Sequence, residues 1–510
     1  MTTANAAPTQ QTTNKWLIVT TIMLVAILEV LDSTIVNVAL PAMMPSLGAN
    51  QEQITWVLTS YVVAAAVMLP LTGFLSNRLG QKKLLLIDIA GFLISSILCG
   101  MTSNLSVMVL FRLCQGAFGA ALIPISQAVL RQTFSREEQG KAMAIWGLGI
   151  MVAPVLGPTL GGFITEHTSW RWIFYINLPI CIIGFMMTSL FIKETPRVLQ
   201  KIDYLGILCM FIGVGTLQVF LDQGNSKNWF DSHFIMLLAI TSLITLSLFI
   251  IRSLRHPHPV ITLTIFNDRN FTICTISLAV FAACVFGFLT LEPLMLESIY
   301  GYTALVAGIT LSPMGISSAV MMIVSGGLIR IFSPKMLISL GILLCAGGLF
   351  YLAGMNLQAA QWNFVFANSL IGAGMGLFMV PITTYSLITL PSQQVTEGAG
   401  LFAYGRMLGS SIGISLLSTL VTRETQINWN RFGGSINRYN NNLHHWLNAN
   451  QTHLTDPRSY KLLANTLYNS ASMVAFIDAY FLCAIIMFIL VPLIWFLKKV
   501  DMSHVDLGGH

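Results

Sequence analysis

The run WLIVTTIMLVAILEVLDSTIVNVALP, residues 16–41, decides which solvent this chain folds in. About 20 apolar residues cross roughly 30 Å of hydrocarbon as a helix, because only a helix satisfies its own backbone there. The polar stretch before it, residues 1–14, has no basic region. The run itself is too long for a secretory leader and lacks a small-residue cleavage site, so it is expected to stay attached. Working outward, fourteen such stretches begin near Trp16, Ile54, Leu84, Leu105, Lys141, Trp172, Tyr204, Phe234, Phe271, Ala304, Met336, Asn363, Gly400 and Met473. An all-α polytopic membrane protein is therefore expected. Composition points the same way: 9% of the 510 residues are charged, against roughly 25% in a soluble chain. The formal charge of +6 comes from Lys and Arg scattered singly between apolar runs, so no basic face for nucleic acid forms. The eight cysteines fall in or beside apolar runs without metal-ligand spacing and read as packing residues.

Positive residues in short loops stay in the cytoplasm. Lys15, Arg78, Lys82, Lys83, Arg131, Arg136, Lys141, Lys193, Arg197, Lys201, Arg252, Arg255, Arg269, Arg330, Lys335, Lys498 and Lys499 fall on one side, whereas the opposite short loops hold only Arg171 and Lys227. Both termini are thus expected in the cytoplasm. The remaining outside charges belong to one long loop, residues 423–472, rich in Asn, His and aromatic residues. Its His444, His445 and His453 lack the Cys or spaced carboxylates of a metal site, so no metal is expected there and a docking surface is.

A short echo suggests duplication: Gly73, Leu75 and Lys82 after the second stretch recur as Gly326, Leu328 and Lys335 after the tenth. The division that follows is a cytoplasmic tail 1–15, a six-helix bundle 16–192, a linker 193–270 with two extra spans, a second six-helix bundle 271–497 containing the outer loop 423–472, and a cytoplasmic tail 498–510.

The first helix carries Glu29, Asp32, Ser33 and Asn37 at i, i+3, i+4 and i+8, one polar face in an otherwise apolar segment. Ionisable groups at such depth cost several kcal/mol and mark ion pathways or buried pairs. Counted at 1.5 Å per residue, Asp32 lies about 24 Å from the cytoplasmic end of its helix and Arg112 roughly 10 Å from the outer end of its own, so the two share a depth. Arginine stabilises the charged carboxylate and loss of water the neutral one, so such a pair is poised to exchange a proton as a cavity opens and closes. The alternative is a permanent structural salt bridge.

Five segments together resemble the major facilitator superfamily, and within it the fourteen-span drug:proton antiporters of the EmrB/QacA type. Residues 31–41, LDSTIVNVALP, are similar to that family's first-helix signature. Residues 73–83, GFLSNRLGQKK, resemble the superfamily's motif A, with Asn77 where an aspartate is usual. Arg112, Gln115, Gly116 and Gly119 resemble motif B, and residues 153–162, APVLGPTLGG, resemble motif C, the antiporter mark. Residues 170–179, WRWIFYINLP, also look like this subfamily.

The resemblance implies a major facilitator fold of 6+2+6 spans, alternating access, and proton-coupled export of lipophilic or amphipathic drugs from a bacterial cell through its inner membrane. The proton-motive force supplies the energy and no cofactor is needed. It further implies an EmrA-type periplasmic adaptor and a TolC-type outer-membrane channel as partners. The alternative on the same fold is a dedicated exporter of one siderophore, peptide or organic acid.

Proton coupling then falls to Asp32 and Glu29, with Arg112 setting their affinity. Pro154, Gly157, Pro158, Gly161 and Gly162 form a bent, close-packing face that seals one access path. Gly73, Asn77, Arg78, Gly80 and Lys82 form a cytoplasmic latch which, without the usual acid, works through hydrogen bonds and helix-end dipoles. Asn37, Gln115 and Arg406 are substrate-pathway candidates, although packing is the first reading for Arg406. Asp88, Asp222, Glu292 and Asp478 lie near helix ends and are expected to be interfacial. An enzyme is not expected: the spans hold no His-Glu-x-x-His helix, paired aspartates or phosphate-binding glycine loop.

Overall fold

Polar residues between the apolar runs start the helices. Asn104, Asp203 and Asp268 each accept hydrogen bonds from backbone amides two or three residues ahead, opening the helices that follow them. The computed structural model describes residues 15–197, 203–257, 259–329, 331–434, 436, 439–449 and 456–498. All but Lys15 and Lys498 of the expected tails 1–15 and 498–510, together with Lys201, Arg330 and His453, lie outside the described residues.

Among the described residues, fourteen long helical segments result. Spans 1 to 6 are Lys15–Leu47, Trp56–Leu79, Gln81–Met101, Leu105–Thr133, Arg136–His167 and Trp172–Phe191. Spans 7 and 8 are Tyr204–Gln223 and His233–Arg255. Spans 9 to 14 are Arg269–Ser298, Ala304–Leu328, Pro334–Ala353, Gln361–Ile388, Val395–Gly434 and Pro457–Trp495. By length and composition, twelve segments among the described residues are apolar enough to cross a membrane. Spans 5 and 13, of 32 and 40 residues, complete the set. They are rich in glycine and polar residues because they pack within the bundle.

The two six-helix halves repeat one another's packing. Span 5 lies on span 1, where a Cβ at Gly157 would overlap the Thr34 hydroxyl and one at Gly161 would come within 2.8 Å of the Ile35 carbonyl oxygen. Span 13 lies on span 9 in the same way: Gly409 and Gly413 leave no room for a Cβ beside the carbonyls of Ala279 and Ala283. Small residues four apart let backbones meet without a hydrophobic driving force, which lipid does not supply.

Spans 7 and 8 are a hairpin laid against the seam. Span 7 is tied to span 13 by Gln218 Nε2 donating to Ser411 Oγ at 2.7 Å and Ser415 Oγ donating to the Leu221 carbonyl at 2.6 Å, and to span 2 by Thr59 donating to Asp222. Span 8 buries only Ile235, Ser242, Phe249 and Ser253. Leu246 packs on Gly213 of span 7, and most of the other apolar residues of span 8 face outward, as lipid contact requires.

The segment 423–472 differs from the loop expected. Span 13 continues as helix to Gly434 and span 14 already begins at Pro457, 16 residues before the apolar run at Met473. Between them a short helix, Asn441–Ala449, buries Leu443 and Leu447. Trp429 and Tyr468 pack edge to face across the two extensions at 6.2 Å. At 1.5 Å per residue a 39-residue helix is about 58 Å long, well beyond the hydrocarbon layer. Hydropathy marks only the lipid-immersed part of such a helix.

Candidate functional site

Apolar packing in the first half splits into two clusters, one around Ile22, Leu85 and Phe92, the other around Ile35, Val57 and Phe174. Between them lies a polar layer centred on Asp32. Asp32 is 0% and Arg112 1% exposed. Arg112 Nη1 donates to Asp32 Oδ2 at 2.6 Å, and Gln115 Nε2 and Asn177 Nδ2 donate to Asp32 Oδ1 at 2.9 and 2.8 Å. Arg112 also donates to the Val57 carbonyl at 3.1 Å and to Gln115 Oε1 at 2.7 Å. Asn177 is held by Ser96 Oγ at 3.0 Å. The Tyr61 ring covers the guanidinium, its centroid 4.3 Å from Cζ. Spans 1, 2, 3, 4 and 6 thus contribute to one dry, charged cluster in which both Asp32 oxygens are satisfied.

Asp32, Arg112 and Gln115 are brought together. Asn37 is exposed and stands apart from them. Glu29, one turn before Asp32, lies within electrostatic reach of Arg406 on span 13 of the other half. Both keep part of their surface accessible. Arg406, a substrate-pathway candidate first read as packing, thus has a carboxylate of the first half as its electrostatic neighbour.

The halves are tied at the face that carries the ends of spans 2, 4, 12 and the start of span 13. Gln81 Nε2 donates to Thr396 Oγ1 at 2.9 Å, and Arg131 Nη2 to the Leu390 carbonyl at 2.9 Å. Gly73 packs so tightly on Glu397 that a Cβ would overlap its backbone. Gly80 adopts φ +87°, a left-handed turn that glycine accepts without strain, between spans 2 and 3. Lys82 Nζ donates to the Ser189 carbonyl at 2.6 Å, a bond within the first half. Gln81 and Gly73 therefore make the cross-half contacts in this loop; Asn77 and Arg78 are partly exposed beside them. In span 5, Gly162 lies near Val38, while the side chains of Pro154 and Pro158 lie outside the described residues.

Two acids placed at the interface by sequence reading are buried instead: Asp88 is 5% exposed and Glu292 0%. Distance from a helix end does not report what packs around a side chain: spans 10 and 12 enclose Glu292 through Asn368. Asn177 was not singled out. Its signal was a carboxamide at the start of an apolar span, directly after an aromatic cluster.

Comparison with known proteins adds the following. The family model described as Major Facilitator Superfamily matches residues 22–414. The chain is 35% identical over 490 residues to the fatty acid resistance protein FarB of Neisseria gonorrhoeae, covering 96% of each. It is 32% identical over 483 residues to the multidrug export protein EmrB of Escherichia coli strain K12, covering 93% of this chain and 94% of that one. Solved structures with the same fold include the human organic anion transporter MFSD10, at TM-score 0.62 and 13% identity, covering 94% of this chain and 99% of that one. The proton:xylose symporter XylE aligns at TM-score 0.61 and 14% identity, covering 94% and 96%.

Proposed function

Because the chain belongs to the major facilitator superfamily, we propose that it is a proton-coupled exporter of lipophilic and amphipathic compounds, working by alternating access. The observation that carries this reading is the desolvated Asp32–Arg112 pair with its two carboxamide donors. A scaffold or passive channel has no need to bury a charged pair, whose desolvation costs several kcal/mol per ion. A transporter uses one, because water entering the seam changes the balance between charged and neutral carboxyl. The relatives named for drug and fatty-acid resistance support an export direction. The Lys and Arg distribution supports cytoplasmic termini in a bacterial inner membrane. The helical hairpin of spans 13 and 14 then projects into the periplasm, where it suits an EmrA-type adaptor feeding a TolC-type channel.

Asp32→Asn keeps shape and most hydrogen bonds but carries no proton, so uphill efflux in proteoliposomes is expected to fall to background while substrate binding survives. Arg112→Lys keeps the charge without the fork and is expected to restore part of the activity that Arg112→Ala loses. Uncoupler-sensitive accumulation by Asp32→Asn would make Asp32 structural and pass the role to Glu29.

A second reading, a dedicated organic-acid exporter, is favoured by one observation: Arg406 is partly accessible opposite Glu29, where an amphiphile's carboxylate would compete for the guanidinium. A susceptibility panel of long-chain fatty acids and cationic dyes, in a pump-deleted host with and without uncoupler, separates the two. Resistance confined to the acids and lost in Arg406→Gln selects the dedicated exporter.

A further inference from the structure

A carboxyl in the second half has surroundings opposite to those of Asp32. Glu292 on span 9 has no exposed surface. Its Oε1 accepts from Asn368 Nδ2 of span 12 at 2.8 Å, and that amide also donates to the Thr310 carbonyl of span 10 at 3.1 Å. The other oxygen, Oε2, is buried without a hydrogen-bond partner, and so is Asn368 Oδ1. The titratable neighbour on span 14, Tyr480, gives its hydroxyl hydrogen to the Met295 sulfur at 3.7 Å, with Tyr300 beyond it. No cationic side chain among the described residues acts on Glu292. Phe288 packs edge to face on Tyr480, closing the site with ring surface.

The position is not arbitrary. Arg112 lies seven residues after the start of span 4 at Leu105, and Asn368 seven residues after the start of span 12 at Gln361. Each is followed by a Gly-Ala pair, Gly116-Ala117 and Gly372-Ala373, and later by Pro-Ile, Pro124-Ile125 and Pro381-Ile382. Gly116 lies against the Tyr61 carbonyl of span 2 and Gly372 against the Met314 carbonyl of span 10, the equivalent contact. Asn368 therefore occupies in the second half the place of Arg112 in the first. Where the first half gives its carboxylate a guanidinium, the second gives a neutral amide.

The two unpartnered oxygens belong to residues already in contact, and both are acceptors. A hydrogen on Glu292 Oε2 is the donor that the site lacks, since both amide hydrogens of Asn368 are already given, to Glu292 Oε1 and to the Thr310 carbonyl, and only a protonated carboxyl adds a further donor. A bare carboxylate here would be an uncompensated charge in a dry interior. We propose that Glu292 is a second proton-binding site, occupied in this conformation, which releases its proton when the second half admits water during the transport cycle. The release step rests on the proton-coupled reading above; the resting protonation does not.

Infrared spectroscopy of the purified full chain in lipid tests it. At neutral pH a protonated-carboxyl stretch that shifts in deuterium oxide is expected in the difference between the wild type and Glu292→Gln, whose amide keeps the shape, and equally when both carry Asp32→Asn; the buried Asp88 carboxyl is common to both spectra and cancels. In Asn368→Leu the band is expected to move, because the acid hydrogen has lost its acceptor. In proteoliposomes, Glu292→Gln is expected to move fewer protons per substrate molecule than the wild type. A difference spectrum without the band overturns the site. A band present at rest, with wild-type proton stoichiometry in Glu292→Gln, overturns the release step. Uncoupler-insensitive export by the wild type rejects proton coupling itself, and the spectrum of the resting protein reads the site independently of that result.

Discussion

Asn177 illustrates how one residue supports a buried charge. Its Nδ2 is one of two donors on Asp32 Oδ1, at 2.8 Å, and it is fully buried. Interhelical hydrogen bonds in membrane proteins average about 0.6 kcal/mol, but this acceptor is a carboxylate in a dry site, where bonds to charged groups contribute about 1.5–3 kcal/mol. The larger figure governs. Asn177→Leu is accordingly expected to lower stability by about 2 kcal/mol, measured as thermal unfolding in detergent, and to reduce uphill transport. An unchanged melting temperature would mean that the bond adds nothing beyond Gln115. Asp32, Arg112 and Gln115 were legible in the sequence because ionisable and amide groups stand out in apolar runs. Asn177 was less so, since a lone carboxamide at a helix start usually faces water. Glu292 was misplaced because its burial depends on spans 10 and 12 packing over it, which distance from the helix end does not record.

At the scale of the element, Asp203 fixes the start of span 7 and hence the seat of the central hairpin. Its Oδ1 accepts from the Gly206 amide at 2.9 Å and from Arg252 Nε at 2.7 Å, joining the two hairpin helices at their shared end. Burial works to raise this carboxyl, but the Gly206 amide and the Arg252 guanidinium outweigh it and hold it below the ordinary carboxylate range. A carboxyl depressed in the folded state adds stability that is fully present above its unfolded value, about 3.9 for Asp, and is lost as pH falls through the lower folded value. Between neutral pH and about pH 5 this contribution is therefore expected to stay constant, and to fade only in stronger acid. Asp203→Ala is expected to cost about 1 kcal/mol through the lost cap, and its melting temperature relative to wild type should converge towards zero difference in strong acid. A difference that instead grows on acidification contradicts the assignment. The fourteen helices themselves were legible from apolar runs. The ends of spans 13 and 14 were not, since helix that leaves the membrane is polar and reads as loop.

Across the whole molecule, the halves meet as two repeats, and on the alternating-access reading proposed above their relative motion opens one face and closes the other. In this conformation they are latched where Gln81 meets Thr396 and Arg131 meets the Leu390 carbonyl, with Gly73 pressed on Glu397. The motif A resemblance pointed to this loop through Gly73, Asn77, Arg78, Gly80 and Lys82; of these Gly73 meets the second half, and Gln81 of the same segment makes the side-chain bond across. With Asn77 in place of an acid, the contact rests on the neutral Gln81–Thr396 bond, the charged Arg131 donor and close backbone packing. Contributions of about 1 kcal/mol for the neutral bond and about 1.5–3 kcal/mol for the charged one suit a switch on the proposed reading, because they can be broken at the expense of substrate or proton binding. Cysteines at positions 81 and 396, in a background without the native cysteines, would place a thiol on each half at that contact. A short bifunctional thiol reagent joining them is expected to hold this face shut and reduce efflux to background, while substrate still binds from the opposite face. A cleavable version of the reagent should restore transport on reduction. Full transport through the joined protein would show that this face does not open in the cycle, and would move the gate to another part of the seam.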